Sequence, residues 1–217
     1  MANSAANSDE LSGLLRQVAA GDQAVWGHLL ETNRPRLLRM VELRLDPRLQ
    51  GRLDASDVIQ EAYLTASVQL ADYLKNPTIP FYLWLRLVTS QKLVLLHRNH
   101  LGTKARDVRR QISLDRGALP AASSVAMASK LVGREPTPSE AVGEVEQRRR
   151  LQEALDRMNP LDREVLALRH FEQLTNAETA QVLGLEPSAA SKRYVRALER
   201  LKGILFAMPG ESGETLA

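Results

Sequence analysis

Residues suited to covalent chemistry are scarce in this chain and badly spaced for it. Cysteine is absent, which excludes thiolate nucleophiles, thiolate metal sites and disulfides. The four histidines, His28, His97, His100 and His170, form no HExxH or comparable ligand spacing, and no GxSxG, Walker loop or GxGxxG is present. The sequence therefore predicts no catalytic residues, no metal site and no cofactor. The spacing that does carry chemistry serves recognition. From Thr175 to Leu201 the chain reads TNAETAQVLGLEPSAASKRYVRALERL. Thr175 and Glu178 form a capping box, Ala180 is small enough for a close crossing, Gly184 supplies a left-handed helix end, and Pro187 or Ser188 opens the next helix. In that helix Ala190, Tyr194, Ala197, Leu198 and Leu201 share a face that should be buried. The other side carries Ser188, Ser191, Lys192 and Val195, flanked by Arg193, Arg196 and Arg200. A helix of this kind fits a major groove about 12 Å wide, with side chains of its first turns at base edges and cations at phosphates. An ordinary amphipathic hairpin would share the charge, but not its coincidence with cap, small residue and glycine.

Two other constellations stand out. Asp54, Asp57, Gln60 and Glu61 lie in LDASDVIQEAYL. The helix dipole accounts for acidic residues in a first turn, but not for Gln60 or for acidity reaching Glu61. Further on, NPTIPFYLWLRLVTSQKLVLLHRNHLGTKARDVRR gathers Phe81, Tyr82 and Trp84 ahead of a basic tract. Between positions 92 and 116, Lys92, Arg98, Lys104, Arg106, Arg109, Arg110 and Arg116 oppose only Asp107 and Asp115, a net of +5. Aromatic faces beside cations suit a single nucleic-acid strand, each stacked base being worth on the order of 1–3 kcal/mol. Phe81 reads as core, whereas Tyr82 and Trp84 fit core and stacking equally well.

The elements that must hold these residues are helices. The chain has 217 residues, a hydrophobic fraction of 44% and a charged fraction of 25%, enough for a real core in one ordinary or two small domains. Long stretches rich in Leu, Ala, Arg, Glu and Gln, with no period-two alternation between turn dipeptides, predict an all-α fold. Helices are expected over about 10–20, from the Asp22 cap to about Thr32, from Pro35 onward with Leu37, Leu38, Val41 and Leu45 on one face, over about Ser56–Tyr73, and from Phe81 to about His100, ended by Gly102. In LQEALDRMNPLDREVLALRHF, two more divide at Asn159–Pro160. Gly117, Pro120, Gly133, Pro136 and Pro138 punctuate the middle of the chain. The expected organisation is thus two small helical domains over 9–112 and 140–208, joined by a flexible linker at 113–139, with a short helix near Val125–Leu131 and the second domain ending in a helix-turn-helix.

Taken in order, DxxDxxQEAY, a Pro-containing loop into FYLWL, a basic tract, a linker and a terminal AxxLG…SKRYVRALERL resemble a bacterial RNA polymerase sigma factor of the sigma-70 family, in its compact extracytoplasmic-function (ECF) type. The resemblance covers about 10–112 and 140–206. It implies a specificity adaptor that binds core RNA polymerase, melts the −10 promoter element and reads the −35 element, with no covalent chemistry of its own. Carried over by position, Asp54, Asp57, Gln60 and Glu61 would contact the polymerase. Lys75, Asn76 and Thr78 would receive a base flipped from the −10 element. Tyr82, Trp84, Arg86, Gln91, Arg98 and Asn99 would hold the single strand, and Ser188, Ser191, Lys192, Arg193 and Arg196 would read the duplex −35 element. The linker would thread the RNA exit path, and an anti-sigma factor is an implied partner. Ala190 stands where the family usually has a larger aliphatic residue and Ser191 where a basic one is common; His97, His100 and Gly102 interrupt a tract that more often continues in Arg.

Other classes are weaker readings. A stand-alone helix-turn-helix regulator would use the same C-terminal motif as a dimer, but it leaves the second basic, aromatic surface without a purpose. Residues 1–10 lack the basic start and apolar stretch of a secretory signal, and no run approaches the roughly 20 apolar residues of a membrane span, so a cytoplasmic protein with no membrane or small-molecule partner is expected.

Overall fold

A computed structural model describes residues 2–49, 51–101, 120–132 and 141–208. Lys104, Arg106, Arg109, Arg110 and Arg116 of the basic tract, the Gly102 stop, much of the expected linker and the tail from Pro209 lie outside them. Among the described residues the regular structure is helical: α1 (Ala2–Ala19), α2 (Gln23–Arg44), α3 (Ala55–Lys75), α4 (Phe81–Leu101), α5 (Ser124–Val132), α6 (Ala141–Arg157), α7 (Pro160–Leu166), α8 (Asn176–Leu183) and α9 (Pro187–Ala207). They form two compact units, divided between Pro120 and Ala121.

In the first unit α2, α3 and α4 pack on one another and α1 lies against α2 and α3. Asp22 caps α2 by accepting from the N–H groups of Ala24 and Val25, both at 3.0 Å. The expected break at Pro35 does not occur. One helix runs from Gln23 to Arg44 with Pro35 inside it. An interior proline costs about 3 kcal/mol because its ring displaces the carbonyl four residues back and it has no N–H to donate. Burial outweighs that cost, since Leu29, Leu30, Leu37, Met40, Val41 and Leu43 all enter the core from both sides of Pro35, each worth about 1.5–3 kcal/mol. The preceding turn also gains Thr32 Oγ1 to His28 O and Asn33 Nδ2 to Leu29 O, both at 2.8 Å. Side-chain bonds join α2 to α3: Trp26 Nε1 donates to Ser67 Oγ at 3.0 Å, Tyr63 OH to Leu30 O at 2.6 Å, and Arg34 Nη2 to Ser56 Oγ at 3.2 Å.

In the second unit α5 packs on α6, while α9 packs on α6, α7 and α8. Helix α5 falls inside the stretch expected as linker, yet Met127 and Ala128 are fully buried and Ser124 Oγ donates to Asp156 Oδ1 at 2.6 Å. The Asn159–Pro160 division occurs as expected: Asn159 caps α7 by accepting from Leu161 N–H at 2.9 Å. Helix α7 then widens into a π turn at Ala167–Phe171, closed by Glu172 N–H to Ala167 O at 3.0 Å.

Candidate nucleic-acid interface

The helix-turn-helix is built by the local chemistry that its sequence suggests. Thr175 Oγ1 accepts from Glu178 N–H at 3.2 Å and Glu178 Oε2 accepts from Thr175 N–H at 2.7 Å, completing the capping box of α8. Gly184 ends the helix at φ +65°, a conformation glycine adopts without a Cβ clash. Across the turn, Leu185 N–H reaches Ala180 O at 2.9 Å and Asn176 Nδ2 donates to Pro187 O at 2.7 Å. Ala180, Ala190 and Ala197 are buried, so α9 crosses α8 and α7 closely. Ala190 is thus one of the small buried residues at that crossing.

The buried face of α9 is narrower than the sequence suggested. Tyr194 and Leu201 are half-buried and Leu198 is exposed, because Leu198 lies round the helix from Ala190 and Ala197 and joins Leu201, Leu205 and Phe206 along an open groove. Ser188, Ser191, Lys192 and Arg196 are exposed together with Val195, as a DNA-reading face requires. Arg193 sits at the edge of that face. Its Nη1 lies 2.9 Å from Oδ1 of Asp162, a carboxylate only 1% exposed.

In the first unit, Asp54 and Asp57 are engaged with each other's backbone at the start of α3. Asp54 Oδ1 accepts from Asp57 N–H and Asp57 Oδ2 from Asp54 N–H, both at 2.9 Å. Gln60 and Glu61 are exposed, and Glu61 Oε2 lies 3.3 Å from Lys92 Nζ on α4. Sequence reasoning missed two apolar residues on the same face. Leu64 is 68% and Val68 82% exposed, and the spacing 57, 61, 64, 68 carries one face from acidic to apolar. The signal was present: Val58, Ile59, Ala62, Ala66 and Tyr73 already fill the buried stripe, leaving Leu64 and Val68 on the other side.

Lys75, Asn76 and Thr78 are exposed at the α3–α4 corner, Lys75 pairing with Asp72 at 2.9 Å. Gln91, Arg98 and Asn99 are exposed along α4, which continues through His97 and His100 to Leu101. Tyr82, Trp84 and Arg86 are placed differently, at 6%, 8% and 5% exposure. Trp84 stacks on Tyr73 with ring centroids 4.5 Å apart and lies 5.8 Å from Phe81. Tyr82 is covered by the Arg36 guanidinium, 3.5 Å above its ring. The first turns of α4 are buried nearly all round by α2 and α3, so these three belong to the packed interior, and Phe81 is core as expected.

Near the far end of α4, His97 Nε2 accepts from the Asp46 N–H at 3.3 Å. Burial lowers the His97 pKa, opposed by the nearby Asp46 charge, and Arg48 holds the Asp46 carboxyl down to about 2. Among the described residues no group of three His, Asp or Glu could hold a metal ion, and no helix is long and apolar enough to cross a membrane.

The fold and these surfaces define a helix-turn-helix protein with a second helical unit. Comparison with known proteins narrows the class. The family description "Sigma-70, region 4" matches residues 148–201. The ECF RNA polymerase sigma factor SigD of Mycobacterium tuberculosis is 28% identical over 92% of this chain and 85% of its own length. The RNA polymerase sigma factor CnrH of Cupriavidus metallidurans is 28% identical over 89% of this chain and 93% of its own length. The solved structure of CnrH in complex with the cytosolic domain of CnrY shares the fold, with a TM-score of 0.52 at 22% identity, covering 90% of this chain and 97% of that one. The chain is thus similar to the sigma-70 family over residues 148–201 and, along most of its length, to ECF RNA polymerase sigma factors.

Proposed function

We propose that this chain is an ECF sigma factor, which docks on core RNA polymerase through the exposed face of α3 and addresses a promoter with two separate DNA surfaces. The observation that carries the reading is the α3 face itself. Gln60, Glu61, Leu64 and Val68 form an exposed polar and apolar strip that a simple duplex-binding regulator has no use for. Asp54 and Asp57 shape the start of that strip. Helix α9 reads the −35 duplex through Ser188, Ser191, Lys192, Arg193 and Arg196. Lys75, Asn76 and Thr78 take up a base flipped from the −10 element, while Gln91, Arg98 and Asn99 follow the strand. Tyr82, Trp84 and Arg86 act from within the packed interior. Flipping a base costs a few kcal/mol, which contacts to duplex DNA and polymerase must supply. We place the functional domains at 9–112 and 140–208, with 113–139 between them. A protein partner that occupies the chain when it is idle, an anti-sigma factor, completes the reading, as CnrH is found in complex with the cytosolic domain of CnrY.

The experiment is co-elution with bacterial core RNA polymerase. Wild type is expected to co-elute, and a Gln60→Ala, Leu64→Glu, Val68→Glu variant with an unchanged melting temperature is expected not to. If neither binds core enzyme while the chain alone grips duplex DNA tightly, a stand-alone regulator replaces this reading.

A further inference from the structure

Asp162 is almost wholly buried and lies outside the recognition surfaces described above. It sits in the first turn of α7, where Oδ1 accepts from Arg193 Nη1 at 2.9 Å and Oδ2 accepts from Arg200 Nη1. A carboxylate held out of water needs charge and hydrogen bonds to offset its lost hydration, and here both come from α9. The two arginines are seven residues apart, two turns along one side of that helix. They also mark a boundary: beside them lie the buried Ala190 and Ala197, and on their other side the exposed Lys192 and Arg196. A single carboxylate that grips a helix at two points two turns apart fixes its rotation about its own axis and its slide along α7. Rotation and slide decide which side chains face a groove.

We propose that Asp162 is a positioning residue for promoter reading, acting through Arg193 and Arg200 to set the angle at which α9 presents Ser188, Lys192 and Arg196 to the −35 duplex. The proposal rests on the reading of α9 as the −35 helix. Its consequence for Arg193 is specific. That side chain meets the duplex from a position that Asp162 fixes, and neutralising Asp162 releases two cations that can then reach any phosphate regardless of sequence.

The test uses holoenzyme assembled from the full chain and bacterial core RNA polymerase. The probe is a promoter fragment selected by wild-type holoenzyme from a pool randomised across the −35 element, compared with the same fragment carrying that element scrambled. Asp162→Asn should lower the ratio of the two affinities about tenfold, by weakening the selected fragment and strengthening the scrambled one. Loss of packing alone would weaken both. Arg200→Ala, at a half-exposed position that a folded chain tolerates, should lower the ratio in the same direction, and the Asp162→Asn, Arg200→Ala double variant should fall no further than Asp162→Asn. Should Asp162→Asn not fold, Arg200→Ala carries the comparison alone. A wild type that discriminates, beside variants that discriminate equally well, overturns the proposal. A wild type indifferent to the −35 element, with Arg196→Ala also without effect, removes instead the reading on which it stands.

Discussion

The hydroxyl of Tyr73 donates to the carbonyl of Ile79 at 3.1 Å, so a buried residue at the end of α3 ties down the corner that carries Asn76 and Thr78. Burial raises the Tyr73 pKa, which keeps the phenol a donor throughout the neutral range. The same ring stacks on Trp84. Tyr73→Phe keeps the stack and removes only the tie. The expected result is a loss of about 0.5–1.5 kcal/mol in stability. Strand opening should slow at a promoter carrying a fluorescent adenine analogue in its −10 element, while affinity for −35 duplex is unchanged. Equal opening rates would show that the tie does not serve the corner.

Burial of Trp84 makes a different prediction from exposure. A tryptophan that only stacks bases can be shortened at little cost to the fold. One packed on Tyr73 and Phe81 cannot. Trp84→Ala should destabilise the first unit by about 3–5 kcal/mol, and Trp84→Phe by much less. Urea unfolding of each variant measures this directly.

The line between what could and could not be read from the sequence follows interaction distance along the chain. Thr175 with Glu178, Gly184, and Asn159 before Pro160 act within a few residues, and each was legible as a cap or stop. Pro35 misled because its local preference for a helix start was overridden by Leu37, Met40 and Val41, whose burial depends on α3 and α4. Tyr82 and Trp84 could not be settled because spacing shows which residues share a face, not how many faces a helix buries. The pairing of Arg193 with Asp162 was not legible because the two lie 31 residues apart.

The contact between His97 and Asp46 sets a pH dependence. The folded protein holds the His97 pKa below its ordinary 6.5, mainly through burial. Above that value neither state binds the proton and stability is full. As pH falls through it the unfolded chain takes up a proton that the folded chain declines, so stability falls until the lowered pKa is reached. Asp46 adds a loss further down, between its ordinary 3.8 and about 2, as its pairing with Arg48 is protonated away. Both tryptophans, Trp26 and Trp84, belong to the first unit, so fluorescence-detected urea midpoints report on it alone. They should drop from pH 7 to pH 5 in wild type and stay level in His97→Gln, which offers an acceptor that does not titrate. Parallel curves would remove His97 as the cause.

The reciprocal bonds between Asp54 and Asp57 require that stability and docking be separated at the start of α3. Each side chain satisfies a backbone N–H that would otherwise have no partner. Asp54→Ala should cost about 1 kcal/mol, whereas Asp54→Asn, which keeps an acceptor oxygen, should cost little. A loss of polymerase affinity in Asp54→Ala alone would therefore report on the helix end, not on a lost contact. Gln60 and Glu61 make no such cap. Among the described residues Glu61 pairs with Lys92 at the surface, the kind of pair worth about 0–1 kcal/mol. Glu61→Lys should leave the melting temperature nearly unchanged and weaken co-elution with core RNA polymerase at least tenfold. Combined with Asp54→Asn, it should weaken binding by more than either change alone if both carboxylates face the polymerase, and by no more than Glu61→Lys if Asp54 serves only the cap. Titration of fluorescently labelled chain with core enzyme distinguishes these outcomes.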